Sequence, residues 1–422
     1  MNKNALSVGI CILFLITILI KPFTLWAQPI LETGGQKPMP NEWIDKDTHH
    51  KVMRLTGIDG NSVCFYFHNN PFLKQTSNEG DRMIFYNTGE KGTQAYSANL
   101  KTFKIEQVLN FEQTSKTAEP AFDRNRNGHN GEALDFKSHN LYYQLRDSVF
   151  VTNVDTKKTR LVSVFPKDFN GGIFTLNADE TMLAGMESAE ADAILKINPN
   201  DTKRLFDVHP LHKLFTINIK TGELKKIHQE KNYLNHIQFS TTDPNLLMFC
   251  REGPWDKVDR IWTINIKTSQ TQLMYKRVMD AEIAGHEFFS PDGKTIWFDD
   301  QIPRSENFFL TGSNVNDLSV THYRLTRNEW SIHFNISPDQ KLFAGDGGNE
   351  AQVAKAKDGM WIYLFRPNGD HFDSERLVNM KNHNYKLEPN VHFSPSGKWI
   401  IFRANFEGKT NVYAVEIEKS KA

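Results

Sequence analysis

Short apolar runs separated by polar turns recur along this chain in the pattern of an all-β protein. Five turns share one form, in which a Ser or Asn opens the block and a second apolar run follows directly. These blocks are residues 177–180, 240–244, 290–294, 337–341 and 394–398. Pro and Asp preset such a turn and Gly accepts positive φ, so each block predicts a tight hairpin.

A second marker predicts another hairpin in each unit, between its third and fourth strands. Here an apolar run ends in Lys-Thr or Asp-Thr, at residues 96–102, 151–157, 214–223 and 261–268. Counting whole units gives the spans 60–110, 131–167, 171–229, 234–278, 284–327, 330–380 and 388–419. Units of about 40–55 residues are typical of propeller blades, so we predict a seven-bladed β-propeller with four-stranded blades.

Residues 29–422 are expected to form this propeller as one domain, because no linker-like tract interrupts the pattern. Residues 41–57 are then expected to supply the strand that closes the ring with the last blade. A β-sandwich or an open solenoid is the rival architecture, but sandwiches rarely exceed about 250 residues in one domain.

The N-terminus has the features of a secretory signal, predicted to cover residues 1–28. Lys3 gives a basic start, an apolar stretch follows to Ile20, and Trp26-Ala27 offers a small-residue cleavage site. The stretch is shorter than the roughly 20 residues that span a membrane, although an uncleaved anchor is the alternative. We therefore expect a periplasmic or secreted protein with no membrane span in the mature chain.

Composition narrows the possible partners. Lys+Arg and Asp+Glu both number 50, so the chain has no net charge that would attract nucleic acid, and we expect none as a partner. With Cys11 in the signal, Cys64 and Cys250 remain. Both lie in apolar strand-like runs, which predicts two buried free thiols rather than a disulfide or a metal site.

Histidines recur at one register of the predicted blades. His236, His286 and His333 each stand four residues before the Ser of a turn block, and Asn390 occupies that place in the last unit. Glu388, Asn390 and His392 alternate, so they are expected to share one face of a strand. A lone His is usually structural, but a repeated register favours a divalent metal bound by imidazoles and oxygen ligands.

Other motifs are weaker or absent. The chain has no Gly-x-Ser-x-Gly elbow, P-loop or Cys-x-x-Cys pair, which excludes the matching hydrolase, nucleotide and zinc-ribbon signatures. The loop after Arg251 either lines a mouth or is a bulged connection. His68 opens a loop that either contacts substrate or is an exposed turn, and Gly345-Asp346-Gly347 is interpreted as a turn.

Several strings resemble the oligogalacturonate lyases, which are seven-bladed propeller enzymes that split short pectin fragments. They are Leu234-Asn235-His236, Cys250-Arg251-Glu252-Gly253-Pro254, His286-Glu287-Phe288-Phe289 and Gly345-Asp346-Gly347, with residues 214–223 and 258–265. The Cys-x-Glu-Gly-Pro and His-Glu-Phe strings are fairly specific, whereas the Ser-Pro-Asp-Gly turns also occur in TolB-type propellers.

The resemblance implies a reaction as well as a fold. A metal ion, Mn²⁺ or alternatively Ca²⁺, would bind a uronate carboxylate and acidify its C5 proton. His236 matches the family's base and His286 a family metal ligand, so β-elimination on an acidic oligosaccharide is expected. The metal-ligand pool implied by the resemblance and the register is His286, His333, Glu388, Asn390 and His392.

The chain also departs from the family pattern. In the stretch from Tyr385 to Asn390, Glu388 and Asn390 stand where the family has His, and His392 is shifted by two. The family Arg near Leu214 is replaced by Lys213, which keeps the charge but not the bidentate grip on a carboxylate. Lys213 is thus the expected charge-stabilising partner, and His68, Arg251 and Tyr385 the expected substrate contacts.

Two functions follow from these features. The first is a metal-dependent carbon–oxygen lyase acting on oligogalacturonate or a related oligouronide. The second is a non-catalytic TolB-like propeller that binds a protein or a glycan. The turns fit both, whereas the repeated His register favours the enzyme.

Overall fold

The architecture is taken from a computed structural model that describes residues 28–74, 80–90, 92–110, 133–198 and 201–420. All but the last residue of the predicted signal segment lies outside the described residues. Within the described chain, no helix combines the length and apolar character that a membrane crossing requires.

Strands make up most of the regular secondary structure of the described chain and nearly all of them pair antiparallel, which confirms the predicted all-β class. Its first strands are β1 (Ile30–Leu31), β2 (Glu42–Asp45) and β3 (His50–Arg54). A five-stranded sheet follows, with β4 (Asn61–Val63), β5 (Phe72–Leu73), β6 (Arg82–Gly89), β7 (Gly92–Asn99) and β8 (Ile105–Asn110).

Three sheets of four strands come next, in the strand number predicted for each blade. The first contains β9 (Ala133–Leu134), β10 (Asn140–Leu145), β11 (Ser148–Asn153) and β12 (Thr159–Val164). The second contains β13 (Gly171–Leu176), β14 (Met182–Glu187), β15 (Leu211–Asn218) and β16 (Leu224–Lys231). The third contains β17 (Leu234–Phe239), β18 (Leu246–Arg251), β19 (Ile261–Asn265) and β20 (Thr271–Leu273).

An eight-stranded sheet consists of two four-stranded halves. One half is β21 (Ile283–Phe289), β22 (Thr295–Gln301), β23 (Phe308–Asn314) and β24 (Val320–Leu325). The other is β25 (Phe334–Ile336), β26 (Phe343–Gly345), β27 (Trp361–Asn368) and β28 (His371–Asn379). One parallel pair, Arg324 with His371, joins β24 to β28. The strands of each sheet or half-sheet therefore match one predicted unit, whereas the count of seven blades stays a prediction.

The two ends of the described chain share the last sheet. Its C-terminal strands are β29 (His392–Phe393), β30 (Trp399–Ala404) and β31 (Asn411–Lys419). Strand β31 pairs antiparallel with β3, which also pairs with β2. Arg54 and Glu407 form a largely buried ion pair across this junction, with Nη1 and Oε2 2.7 Å apart.

The turn blocks form the predicted hairpins for local chemical reasons. In the block between β21 and β22, Ser290 Oγ donates to Asp292 Oδ1 at 2.6 Å and accepts from the Thr295 amide at 3.0 Å. Gly293 adopts a φ of 69°. In the second kind of turn, Asn218 Oδ1 accepts the amides of Lys220 and Thr221, which ends β15 and returns the chain as β16.

Two short helices, which the sequence did not lead us to expect, connect β14 to β15. They are α1 (Ala189–Ile197) and α2 (Thr202–Val208). Helix α1 begins after Ser188, whose side chain accepts the Ala191 amide and so satisfies one free backbone donor. Its buried Ala191 and Ile194 pack with Leu205 and Tyr233.

The core lies between neighbouring sheets rather than in one central layer. Successive apolar clusters link each sheet to the next, and the largest includes the fully buried Trp43, Tyr363 and Tyr413. Cys64 and Cys250 are buried in this packing, and neither forms a disulfide bond within the described chain, as the sequence predicts.

Candidate active site

Backbone bulges place the candidate histidines on the first strands of the sheets. The pairing of β17 with β18 shifts between Asn235 and Gln238, and that of β21 with β22 shifts between Gly285 and Phe288. His236 and His286 lie within these shifts, with φ of 50° and 55°. Non-Gly residues rarely adopt this left-handed region, and where they do, the strain often accompanies a functional site.

His236 faces a buried charged group that comes from β21 and from the loop between β18 and β19. Its Nδ1 lies 3.5 Å from Glu287 Oε2, and the other oxygen of Glu287 accepts from Arg260 Nε at 2.5 Å. Arg260 also contacts the Glu252 carboxylate at 3.2 Å. All the charged atoms of Arg260 and Glu287 are buried, so this ion pair is screened little by solvent.

Burial and charge act in opposite directions on His236. Removal from water lowers the pKa of the imidazole, and the negative charges of Glu287 and Glu252 oppose that shift without cancelling it. The Arg260 guanidinium holds the pKa of the Glu287 carboxyl below its usual value despite its burial. The site therefore favours a neutral imidazole beside an ionised carboxylate.

His333 is oriented by a second buried carboxylate. Its Nδ1 lies 2.8 Å from Asp346 Oδ2, and its backbone amide donates to Asp346 Oδ1. Since a carboxylate only accepts, Nδ1 carries the proton and Nε2 keeps its lone pair. That Nε2 is buried and has no hydrogen-bond partner among the described residues; Glu388 Oε2 lies 3.7 Å away.

The imidazole nitrogens and carboxylate oxygens of this site are ligand types that bind divalent cations. The His286 and His333 rings have centroids 4.9 Å apart, and Glu388 adds a carboxylate beside His333. A metal-binding His commonly donates its second ring N–H to a carboxylate, as His333 does to Asp346. Within the described part of the chain, however, no three His, Cys, Asp or Glu side chains already converge as a closed cation-binding group.

The loop between β4 and β5 brings aromatic side chains into the same place. The buried ring of Tyr66 lies 5.2 Å from the His333 ring and 6.0 Å from the His236 ring, measured between centroids. His68 lies beside it, with a centroid 6.1 Å from that of His236. Burial and the nearby carboxylates of Glu388, Glu252 and Glu287 raise the pKa of Tyr66, which therefore keeps its proton.

Comparison with known proteins assigns this chain to a family. A sequence model of the oligogalacturonate lyases matches residues 39–421, which is most of the chain. The chain belongs to the oligogalacturonate lyase family. This confirms the resemblance seen in the sequence strings.

Relatives of the family match this chain over nearly its whole length. The oligogalacturonate lyase of Dickeya dadantii (strain 3937) is 27% identical over 398 residues, covering 89% of this chain and 95% of the relative. A solved oligogalacturonate lyase in complex with manganese superposes with a TM-score of 0.73 at 22% identity, covering 90% and 96% of the two chains. The Vibrio parahaemolyticus oligogalacturonate lyase gives the same TM-score at 21% identity, covering 90% and 97%. At these identities the structural likeness establishes a shared fold.

Not all the residues predicted from the lyase resemblance join the cluster. Asn390 Oδ1 accepts the Phe67 amide at 2.9 Å, and His392 Nε2 lies 3.0 Å from the Phe65 carbonyl oxygen. Both side chains thus hold the β4–β5 loop. Asn390 has a φ of 54°, so the alternation expected for Glu388, Asn390 and His392 does not hold, and only Glu388 lies next to His333.

The predicted charge partner Lys213 and two of the three predicted substrate contacts are engaged with neighbours in this structure. Lys213 Nζ pairs with Glu187 Oε2 at 2.8 Å. Arg251 makes a bidentate contact of 2.9 Å at each nitrogen with the Glu230 carboxylate. Despite burial, hydrogen bonds from His228 and Arg251 lower the pKa of Glu230 to about 2. Tyr385 is buried, and its hydroxyl donates to the Asp346 carbonyl oxygen. Of the predicted contacts, His68 lies beside His236.

Sequence reasoning missed Glu287, Arg260, Asp346 and Tyr66. The first two lie in strings that carry the family resemblance, and Asp346 lies in the Gly-rich string interpreted as a turn. The signal that could have found the charged residues is a charge in an apolar run near a candidate His. Burying an isolated charge costs free energy, so such a charge is expected to have a partner. Tyr66 gives no such signal, since an aromatic in an apolar run normally packs in a core.

Proposed function

We propose that this protein is a metal-dependent lyase that cleaves oligogalacturonate by β-elimination and leaves an unsaturated uronate. The observation that carries the proposal is a buried His236 imidazole facing the Glu287–Arg260 ion pair. The Tyr66 ring links it to His333, whose ring contacts that of His286. Membership of the oligogalacturonate lyase family supports this reaction class. The acidic substrate supports a role for Lys213 as a charge partner once it separates from Glu187.

His236 is the proposed base. Its lowered pKa leaves the ring neutral at pH 7, and Nε2, on the side away from Glu287, offers the lone pair. In the elimination, Nε2 takes the C5 proton, the electrons of that bond form the C4=C5 double bond, and the C4–O4 bond breaks. The leaving oxygen takes up a proton and the imidazolium later returns its own to solvent.

The proposed metal holders are His286, His333 and Glu388. A divalent ion, Mn²⁺ first and Ca²⁺ second, would supply positive charge to the uronate carboxylate and so acidify the C5 proton. The manganese named for a solved relative supports the first choice. Asp346 supports it from this chain, because it fixes the His333 ring with Nε2 open.

The proposal extends to architecture and location. The sheets and half-sheets are proposed to close as seven blades, with β3 completing the last one, which agrees with the pairing of β3 with β31. The N-terminal pattern of a basic start and an apolar stretch supports export to the periplasm or medium.

The test is ultraviolet absorbance of the conjugated product during incubation with digalacturonate and trigalacturonate. With manganese we expect a rise that EDTA abolishes and excess manganese restores. Calorimetric titration of the metal alone should show weaker binding in Glu388→Gln than in wild type or in Glu223→Gln, a change in an exposed turn. A flat trace with metal bound would exclude this substrate, and a flat trace with no metal bound would favour the glycan- or protein-binding alternative.

A further inference from the structure

The buried carboxylate of Glu287 lies between a guanidinium and the proposed base. One oxygen accepts from Arg260 Nε at 2.5 Å and the other lies 3.5 Å from His236 Nδ1. The backbone is fixed as well, since Gln238 Nε2 donates to the Glu287 carbonyl oxygen at 2.7 Å. Strands β17 and β21 and the loop before β19 thus hold one chain of polar groups in the order Arg260, Glu287, His236.

The bulges explain how this chain forms. In β21 the left-handed conformation of His286 interrupts the alternation of side chains, so that Glu287 is directed towards the neighbouring sheet. In β17 the equivalent bulge turns the His236 ring towards Glu287. Two adjacent first strands with matching bulges therefore bring together groups that are distant in sequence.

Arg260 is itself held from its other side. Its guanidinium lies over the Trp255 ring, with Cζ 4.7 Å from the ring centroid, and Nη1 donates to the Glu252 carbonyl oxygen. Gly285 leaves room for that indole, because an added Cβ would lie 3.2 Å from Trp255 Cζ3. A buried guanidinium packed in this way fixes the angle at which Glu287 meets His236.

We propose that Glu287, held by Arg260, is the positioning residue of the base: it keeps the proton of His236 on Nδ1 and leaves the lone pair on Nε2. A carboxylate oxygen accepts and cannot donate, so only the tautomer with Nδ1–H is matched to it. The same logic places a carboxylate behind the histidine of serine hydrolases. The expected effect on kcat rests on the proposed lyase function, whereas the expected tautomer of His236 does not.

The kinetic test replaces Glu287 with Gln, which keeps the size and removes the charge. We expect kcat to fall by about 10²- to 10⁴-fold, the range of a general base, with KM changed far less. Glu287→Asp, which keeps the charge one methylene further away, should recover part of that loss. If Glu287 served only to neutralise the charge of Arg260, kcat would be unchanged in every Glu287 variant that folds.

The chain offers a matched control elsewhere. Asp155 lies between His139 Nδ1 at 2.7 Å and Arg82 Nη1 at 3.0 Å, which is the same order of groups outside the site. Asp155→Asn should leave kcat at the wild-type value. If Glu287→Gln matched this control in kcat, the proposal would be wrong.

The second readout is the ¹⁵N spectrum of the histidine rings in the full chain, treated with EDTA and assigned with a His236→Asn variant. We expect the Nδ1–H form of His236 in wild type and a mixture of both tautomers in Glu287→Gln. This measurement needs no substrate, so it separates failure of the proposal from failure of the lyase function. A wild-type His236 protonated at Nε2 would overturn the proposal even if no variant folded.

Discussion

At two of the site histidines, a neighbouring carboxylate determines which ring nitrogen carries the proton and which keeps its lone pair. Asp346 accepts a hydrogen bond from Nδ1 of His333, and Glu287 faces Nδ1 of His236, so in both rings Nε2 is left for chemistry. His392 is oriented the other way, because its Nε2 donates to the Phe65 carbonyl oxygen. One residue type at related positions thus serves as a proposed ligand, a proposed base and a structural clamp.

The left-handed conformation at His236 allows function to be separated from stability. We expect His236→Asn to lower elimination activity by about 10²- to 10⁴-fold. Asn tolerates this conformation, so the free energy of unfolding should change by less than about 1 kcal/mol. His236→Val is the control at the same position, because a β-branched side chain should cost about 1–3 kcal/mol more. Equal stability of the two variants in urea unfolding would contradict strain at this position.

At the scale of the element, strand β22 carries two adjacent buried acids that face opposite ways. Burial raises the pKa of Asp299 to about 8 and that of Asp300 to about 7. Asp299 Oδ1 accepts from Trp330 Nε1, while Asp300 Oδ2 accepts from Tyr275 and Thr311. The folded protein therefore binds more protons than the unfolded chain between the ordinary value of 3.8 and about 8.

Stability should consequently fall as the pH rises through that window. Asp300→Asn keeps an oxygen for Tyr275 and Thr311 but cannot ionise, so we expect a smaller fall and a variant more stable than wild type at mildly alkaline pH. Asp317→Asn, in an exposed turn, is the control and should follow wild type there. Urea unfolding across the pH range measures the difference; identical wild-type and Asp300→Asn profiles would show that Asp300 ionises freely in the folded state.

The N-terminal strands should contribute strongly to stability, since β3 pairs with β31. In β2, Trp43 is fully buried, packs edge-on against Phe406 and Tyr413, and donates from Nε1 to Thr33. We expect Trp43→Ala to lower the free energy of unfolding by about 3–5 kcal/mol, the usual cost of removing a large core aromatic. Val320→Ala in β24, where the side chain is exposed, should change it by less than about 0.5 kcal/mol. A small effect at Trp43 would mean that β2 is peripheral to the fold.

At the scale of the whole molecule, the features that could be predicted from the sequence are those formed by residues close together along the chain. The Ser, Asp and Gly of the turn blocks make their hydrogen bonds within a few residues, so the hairpins and unit boundaries were readable. Contacts between sheets could not be predicted in this way. Glu287 meets His236 across two strands, and Asn390 clamps Phe67 from the opposite end of the chain. The sequence analysis missed helices α1 and α2 because they form a short insertion within a repeating pattern of β-strands.

The central claim is that this fold and these histidines carry out elimination rather than hydrolysis. Mass spectrometry of the products formed from trigalacturonate with manganese tests it most directly, with His236→Asn as the control. The account predicts that one fragment is lighter by one water than its saturated counterpart, and that the variant forms both fragments at least about 10²-fold more slowly. Two saturated fragments, or equal cleavage by the variant, would contradict it.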